Sequence, residues 1–345
     1  MLVRRLTARI SILLLTACLA AVFCPASASS GSEHTAVSII GRTMAYRSSD
    51  HFQQDYVELS IVDNAMIQVK GRSSLGETRF GLAFREEDTM FVTDEVGSDG
   101  SYCGVYEVPG DRTDGGHELL VCFRNGPDSN YYSAYYTGIR LSCENGDVHF
   151  EQSPVYEENL SAYAARSKLN PAEYLVINIR DDSEREKIGR LASDIAVGST
   201  SDYERLLRIH DWVAENIYYN WDAYWSDDPV AVDACGTLTS KMSVCHGYAA
   251  LTEALLRGVG IPARVVSGHA LGVSADGKYW DEVDHSESNH SWNEAFVDGR
   301  WVILDTTWDS GNDYEDGQFK KGSVRHAYFD PSLQSFSYTH KILQR

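Results

Sequence analysis

Positive charge is scarce in this chain. Its 345 residues carry 30 lysines and arginines against 50 aspartates and glutamates, a formal net charge of −20. So acidic a surface repels phosphate backbones, which sets nucleic acid aside as a partner and fits solubility outside the cell. Cys-x-x-Cys pairs are missing, so a structural zinc site has no support. Beyond the first 28 residues no apolar run approaches the ~20 residues that cross a bilayer. The mature chain is therefore expected to lack a transmembrane span. Internal repeats and low-complexity tracts are absent as well. What is present is globular: 43% hydrophobic and 23% charged residues exclude wholesale disorder, and 20 tyrosines favour a sizeable β component.

The N-terminus has the order of a secretory signal peptide. Residues 1–9 hold three arginines and no acid, residues 10–23 are almost wholly apolar, and Ala26-Ser27-Ala28 offers a small-x-small cleavage site. A signal peptide over 1–28 and a secreted or cell-surface protein are expected. Leu15-Thr16-Ala17-Cys18 also resembles a lipobox, but residues 19–23 would then open the mature chain on an apolar run, so plain secretion is favoured over lipidation at Cys18. Of seven cysteines, Cys18 and Cys24 leave with this segment, and Cys103, Cys122, Cys143, Cys235 and Cys245 remain. An odd count in a secreted protein flags one reactive thiol. Whether the other four pair is left open.

Two styles of sequence follow. Over 36–153, alternating runs such as Tyr56-Val57-Glu58-Leu59-Ser60-Ile61 and Leu119-Leu120-Val121-Cys122-Phe123 are separated by Asn-Gly, Asp-Gly and Pro-Gly punctuation. This predicts an all-β, sandwich-like accessory domain with a structural or binding role. From 160 to 345 helices enter, which makes the fold class α+β. Residues 183–196 read as helical. Ser201-Asp202-Tyr203-Glu204 is a capping box, with Tyr203, Leu206, Leu207, His210, Val213 and Ile217 on one helical face. His210 there reads as a core or boundary histidine. A second helix begins near Ser243 and closes at Gly258, its expected C-terminal cap. Strands then run over about 261–267, 290–297 and 300–307, the last two joined by an Asp298-Gly299 hairpin turn.

Cys245 falls at the start of the second helix, where unpaired N–H groups and a positive partial charge favour a thiolate and can hold an oxyanion. A thiolate nucleophile needs a base, and the base an orienter. If Asp298 and Gly299 are the turn, His290 faces Thr307 and Trp292 faces Asp305. His290 and Asp305 then share a face as diagonal neighbours roughly 7–8 Å apart. One ring nitrogen of His290 can reach Asp305 and leave the other for Cys245. His246, His269 and His285 compete for the role of base. His246 would have to point elsewhere, and the other two read as surface or rim residues. A metallohydrolase using His269, His285 and His290 lacks ligand spacing.

Three linked motifs resemble the transglutaminase-like superfamily, with its papain-related core, over about 200–310. They are Gly236-Thr237-Leu238 with Ser243-Val244-Cys245-His246-Gly247-Tyr248-Ala249; Gly260-Ile261-Pro262-Ala263-Arg264-Val265-Val266-Ser267-Gly268; and His290-Ser291-Trp292-Asn293-Glu294-Ala295 followed by Gly299-Arg300-Trp301-Val302-Ile303-Leu304-Asp305-Thr306-Thr307-Trp308. The resemblance implies a bacterial secreted type with Cys245, His290 and Asp305 as catalytic residues, and offers Tyr219, at the end of the preceding helix, and Trp292, beside the histidine, as oxyanion or substrate contacts. No cofactor or metal is implied. The acidic run 309–316, weighed against the family's calcium-dependent members, lacks EF-hand spacing and reads as a solvated loop. The expected chemistry is acyl transfer from a protein or peptide amide, with cell-wall peptides among the candidate substrates, through a thioester on Cys245. Hydrolysis is favoured over cross-linking of glutamine to amines, and a non-catalytic surface-binding protein is the remaining alternative.

Overall fold

The computed structural model describes residues 43–343 except 48–55, 64, 73–77, 85–89, 110–116, 125–131, 145–146, 167, 227–228 and 327. The signal-like segment 1–28, with Cys18 and Cys24, lies outside the described residues, as does the side chain of Cys143. The described residues belong to one compact unit.

The first part is built of strands β1 (Thr43–Arg47), β2 (Tyr56–Asp63), β3 (Met66–Arg72), β4 (Arg79–Phe84), β5 (Met90–Glu95), β6 (Ser101–Glu107), β7 (His117–Arg124), β8 (Tyr132–Glu144) and β9 (Asp147–Phe150). They form two sheets, ordered β1-β2-β3-β6 and β5-β4-β7-β8-β9. The alternation read from the sequence sets the inner faces. Leu59 and Ile61 are buried while Val62, the next residue along the strand, is exposed. Leu59, Ile67 and Val69 from one sheet share a core with Phe80, Leu82, Leu119 and Val121 from the other, which makes a sandwich. Tyr338, from the far end of the chain, is fully buried in that same core.

Helices follow: α1 (Tyr156–Arg166), α2 (Asp182–Ile195) and α3 (Asp202–Asn216). Ser201 caps α3 by accepting from the Glu204 backbone N–H at 3.1 Å, but Glu204 reaches back one residue further than a capping box requires, to the Thr200 N–H at 2.8 Å. The apolar face of α3 is buried as expected, His210 included. Strand β10 (Tyr218–Asn220), helices α4 (Trp221–Tyr224) and α5 (Ala234–Ser240) and strand β11 (Met242–Ser243) lead into α6 (Cys245–Gly258). Gly258 is the last residue of α6 rather than its left-handed cap; Gly260 takes that conformation, with φ of 81°. Gly258 serves close packing instead, since a Cβ there would lie 2.9 Å from the Ala192 Cβ on α2.

A central antiparallel sheet carries the order β14-β13-β12-β17, from β12 (Ala263–Ala270), β13 (His290–Val297), β14 (Arg300–Leu304) and β17 (His340–Ile342). Between the last two run α7 (Thr306–Asp309), β15 (Asp313–Glu315), β16 (Gln318–Lys320) and α8 (Leu333–Ser337). Tyr248, Leu251 and Leu255 of α6 pack with Ala263, Ala295 and Val302 of the sheet in one core. The hairpin turn falls at Asp298-Gly299, both with positive φ, and pairs Val297 with Arg300 down to Asn293 with Leu304. Among the described residues no helix is long and apolar enough to cross a membrane.

Candidate active site

Cys245 is the first residue of the 14-residue helix α6. Val244 precedes it as N-cap and offers no side-chain acceptor, so no capping side chain occupies the first-turn N–H groups. The helix start is seated tightly: a Cβ on Gly247 would lie 2.0 Å from Ser243 Oγ and 2.5 Å from Thr237 Oγ1. Burial by itself would raise the Cys245 thiol, but the charge and hydrogen bond of His290 and the Ser291 backbone N–H outweigh it and hold the thiol below its ordinary value. Cys122 shows the opposite case, where burial alone pushes the thiol up to about 11. Cys122, Cys235 and Cys245 are free thiols.

His290 opens β13 and pairs across to Gly268 on β12. Its Nε2 lies 2.6 Å from Asp305 Oδ2, which leaves Nδ1 for Cys245. Burial opposes charge on this ring, but the Asp305 carboxylate and the Cys245 thiolate raise it well above the usual histidine range. Asp305 is fully buried, and despite that burial its pairing with His290 keeps it ionised. The sequence-derived ladder is corrected here. β14 ends at Leu304, so Thr307 does not face His290 and Asp305 does not pair with Trp292. Asp305 instead caps α7, its Oδ1 accepting from Thr307 N at 2.9 Å and Trp308 N at 3.1 Å. The strand stops because this carboxylate takes over the backbone donors. With Oδ1 held by that cap, Oδ2 is the oxygen that meets His290.

A cleft of about 360 Å³ opens at His290, lined by Tyr219, Trp221, Tyr224, Trp308, Gly272 and Val273. Tyr219 lies on β10, not on the preceding helix, which ends at Asn216. Burial and then the Cys245 charge keep its hydroxyl protonated far above the ordinary tyrosine value, so it stays a donor beside the thiolate. Trp292 is fully buried with Val266, Ile303 and Phe336, its ring centroid 6.1 Å from that of His290, and does not line the cleft. His246 is exposed at the surface, 3.4 Å from Ser291 Oγ. His269 is not the surface residue expected from its loop-edge position. It is buried, with Nδ1 2.9 Å from the Glu287 carbonyl. His285 is half-buried against Lys341.

One residue that sequence reasoning missed is His340. Its Nε2 lies 3.2 Å from the same Asp305 Oδ2. No local signal marks it, because 35 residues separate it from Asp305 and a three-residue strand, β17, brings it in. Gly268 makes that approach possible: a Cβ there would lie 2.2 Å from both the Lys341 carbonyl and the Trp292 ring. Gly268→Ala must therefore push β12, β13 and β17 apart. It is expected to cost ~1–3 kcal/mol and to cut Cys245 alkylation at neutral pH, read by thermal unfolding and by peptide mass spectrometry.

The acidic run 309–316 is not a solvated loop throughout. Asp309 is fully buried, accepting from the Tyr328 backbone N–H at 3.0 Å and lying 3.1 Å from His210 Nε2. Asp313 accepts from Trp221 Nε1 at 2.8 Å. Among the described residues two groups gather metal-type ligand atoms within 4.8 Å: His210, Asp211 and His326, and His290, Asp305 and His340. In both, carboxylate oxygens already serve the ring nitrogens, at 2.9 Å and 2.7 Å to Asp211 in the first group. An ion would have to replace those protons.

Residues 189–306 match the transglutaminase-like superfamily. Kyphoscoliosis peptidase of Mus musculus is 32% identical over 124 residues, 36% of this chain and 18% of that protein. The Homo sapiens protein of the same name is 29% identical over 143 residues, 41% of this chain and 21% of that protein. The chain thus spans about a fifth of the length of these relatives. The solved periplasmic domain of TgpA from Pseudomonas aeruginosa is 14% identical over 79% of this chain and 95% of that one, with a TM-score of 0.30, a likeness too slight to bear on the site.

Proposed function

With residues 189–306 belonging to the transglutaminase-like superfamily, we propose that the chain is a secreted cysteine-nucleophile enzyme that transfers the acyl group of a peptide or protein amide. The observation that carries this reading is the sequence of contacts from the helix start to Cys245, His290 and Asp305.

The Cys245 thiolate attacks the amide carbonyl carbon and forms a C–S bond, while the carbonyl electron pair moves onto oxygen. First-turn N–H groups of α6 and the Tyr219 O–H are the donors for that oxyanion. Collapse breaks the C–N bond, the leaving nitrogen takes its proton from His290, and a thioester remains on Cys245. Water then attacks, gives one proton to His290 and releases a carboxylic acid, restoring the thiolate–imidazolium pair. Asp305 keeps His290 in the productive orientation throughout. Hydrolysis is favoured over transfer to an amine, in line with the peptidase name of the two mammalian relatives. Proteins and cell-wall peptides are the substrate classes proposed.

The test is an unfolded protein incubated with the mature chain and a labelled primary amine, followed by mass spectrometry of the products. Cleaved peptide bonds support hydrolysis, and amine incorporated at glutamine supports cross-linking. Products that appear equally with Cys245→Ala, or no products at all from either class, would count against the proposal.

A further inference from the structure

The Asp305 carboxylate serves two histidines through one oxygen. It is fully buried, with both Oδ1 bonds given to the start of α7, and Oδ2 takes His290 at 2.6 Å and His340 at 3.2 Å. A buried carboxylate stays ionised only while donors surround it. His340 can act only as a donor here, because a carboxylate accepts. Its ring is neutral, since burial lowers it to about 4. Its tautomer is fixed from the other side: Nδ1 lies 2.8 Å from Thr339 Oγ1, which in turn lies 3.3 Å from the Tyr328 hydroxyl. The ring is wedged between Phe336, stacked at 4.4 Å, and Trp308 at 4.5 Å.

The segment that carries His340 is anchored away from the triad. Two residues earlier, Tyr338 fills the core of the β-sandwich and donates to the Glu151 carbonyl. The Ser337 carbonyl accepts from Ser153 Oγ at 2.5 Å and from Trp280 Nε1 at 3.1 Å. Asn159 of α1 donates to the His340 carbonyl at 2.7 Å and accepts from Ile342 N at 2.7 Å. Resting on the functional reading above, we propose that His340 is a positioning residue of the triad: its Nε2–H holds Asp305 ionised and aimed at His290, and the segment 333–342 ties that bond to the N-terminal sandwich. The strand-rich region thereby acquires a part in catalysis although none of its described residues lines the cleft. His340 lies outside the 189–306 segment that the superfamily match covers.

The test is the rate of Cys245 alkylation by iodoacetamide against pH, followed peptide by peptide so that Cys103, Cys122 and Cys235 do not contribute, in the full mature chain. His340→Phe keeps the stacking and removes the donor. It is expected to slow alkylation at pH 6 by at least about tenfold and to move the midpoint toward the ordinary thiol value of about 8.5. His340→Gln, whose amide can donate to Oδ2, restores most of the profile. Thr339→Val, which frees the tautomer, shifts it in the same direction by less. A folded His340→Phe chain with the wild-type midpoint, or one slowed equally at every pH, would overturn the proposal. Should His340→Phe fail to fold by circular dichroism, wild-type profiles in both His340→Gln and Thr339→Val would overturn it. A wild-type chain with an ordinary thiol profile would sink the functional reading itself, so the two failures are distinct.

Discussion

Cys245→Ala is expected to lower turnover of any amide substrate by on the order of 10⁶-fold, the scale seen when the nucleophile of a triad is removed. The prediction is specific because neither of the other described thiols with a resolved shift is activated. Cys122 is buried on β7, where burial pushes its thiol up to about 11. Cys235 is raised too, by burial first and then by the charge of Glu184. Cys245 alone of the described thiols whose shift is resolved is held down, by its neighbours His290 and Ser291. Folding should survive the change. The side chain lost is small, and the helix behind it is held by Tyr248, Leu251 and Leu255, all fully buried. Thermal unfolding near the wild-type temperature, with activity lost, is the expected pair of results. Unfolding together with loss of activity would leave Cys245 with a packing role only.

Asp305→Asn is expected to cost about 10⁴-fold, as in other triads where the orienting carboxylate becomes an amide. Asparagine can still accept from Thr307 N and Trp308 N, which now bond to Asp305 Oδ1, so α7 keeps its cap. The change falls on the other oxygen, which lies 2.6 Å from His290 Nε2. An amide NH₂ there is a donor and favours the tautomer with the proton on Nδ1. His290 then turns an N–H toward Cys245 and cannot take a proton from it. The sign of the pH effect follows. The carboxylate raises His290, and the His290 charge lowers Cys245. Without the carboxylate His290 falls, Cys245 rises, and the thiolate forms at higher pH. Steady-state rates measured beside the alkylation midpoint check both effects.

Much of this site could be read in one dimension because its parts are local. Cys245 precedes a helical period, and His290 and Asp305 flank a turn whose Asp298 and Gly299 both adopt positive φ. A two-residue turn fixes register, and register fixes which side chains share a face. The extrapolation failed at the point where a side chain replaced the ladder, at the Asp305 cap of α7. The sequence also gave no hint that Asp309, inside an acidic run, is buried against His210, since charge runs usually mark solvated faces. His340 was beyond reach for another reason. Its meaning depends on β17 pairing with the middle of the chain, at Gly268 through Ala270, and long-range pairing leaves no local pattern.

The accessory sandwich raises the same point from the other direction. Its alternating strands were legible, but its connection to the triad runs through Tyr338, an aromatic residue near the end of the chain that belongs to the sandwich core. Side chains placed far apart in sequence thus complete one site, and the 189–306 match alone does not contain it.

The central claim is that Cys245 and His290 rest as a thiolate–imidazolium pair. Its most direct test is the thiolate absorbance of the wild-type chain minus that of Cys245→Ala, followed across pH. The account predicts a difference signal already present well below the ordinary thiol value of about 8.5 and lost at those pH values in His290→Ala. A signal that emerges only near about 8.5, unchanged by His290→Ala, would contradict it.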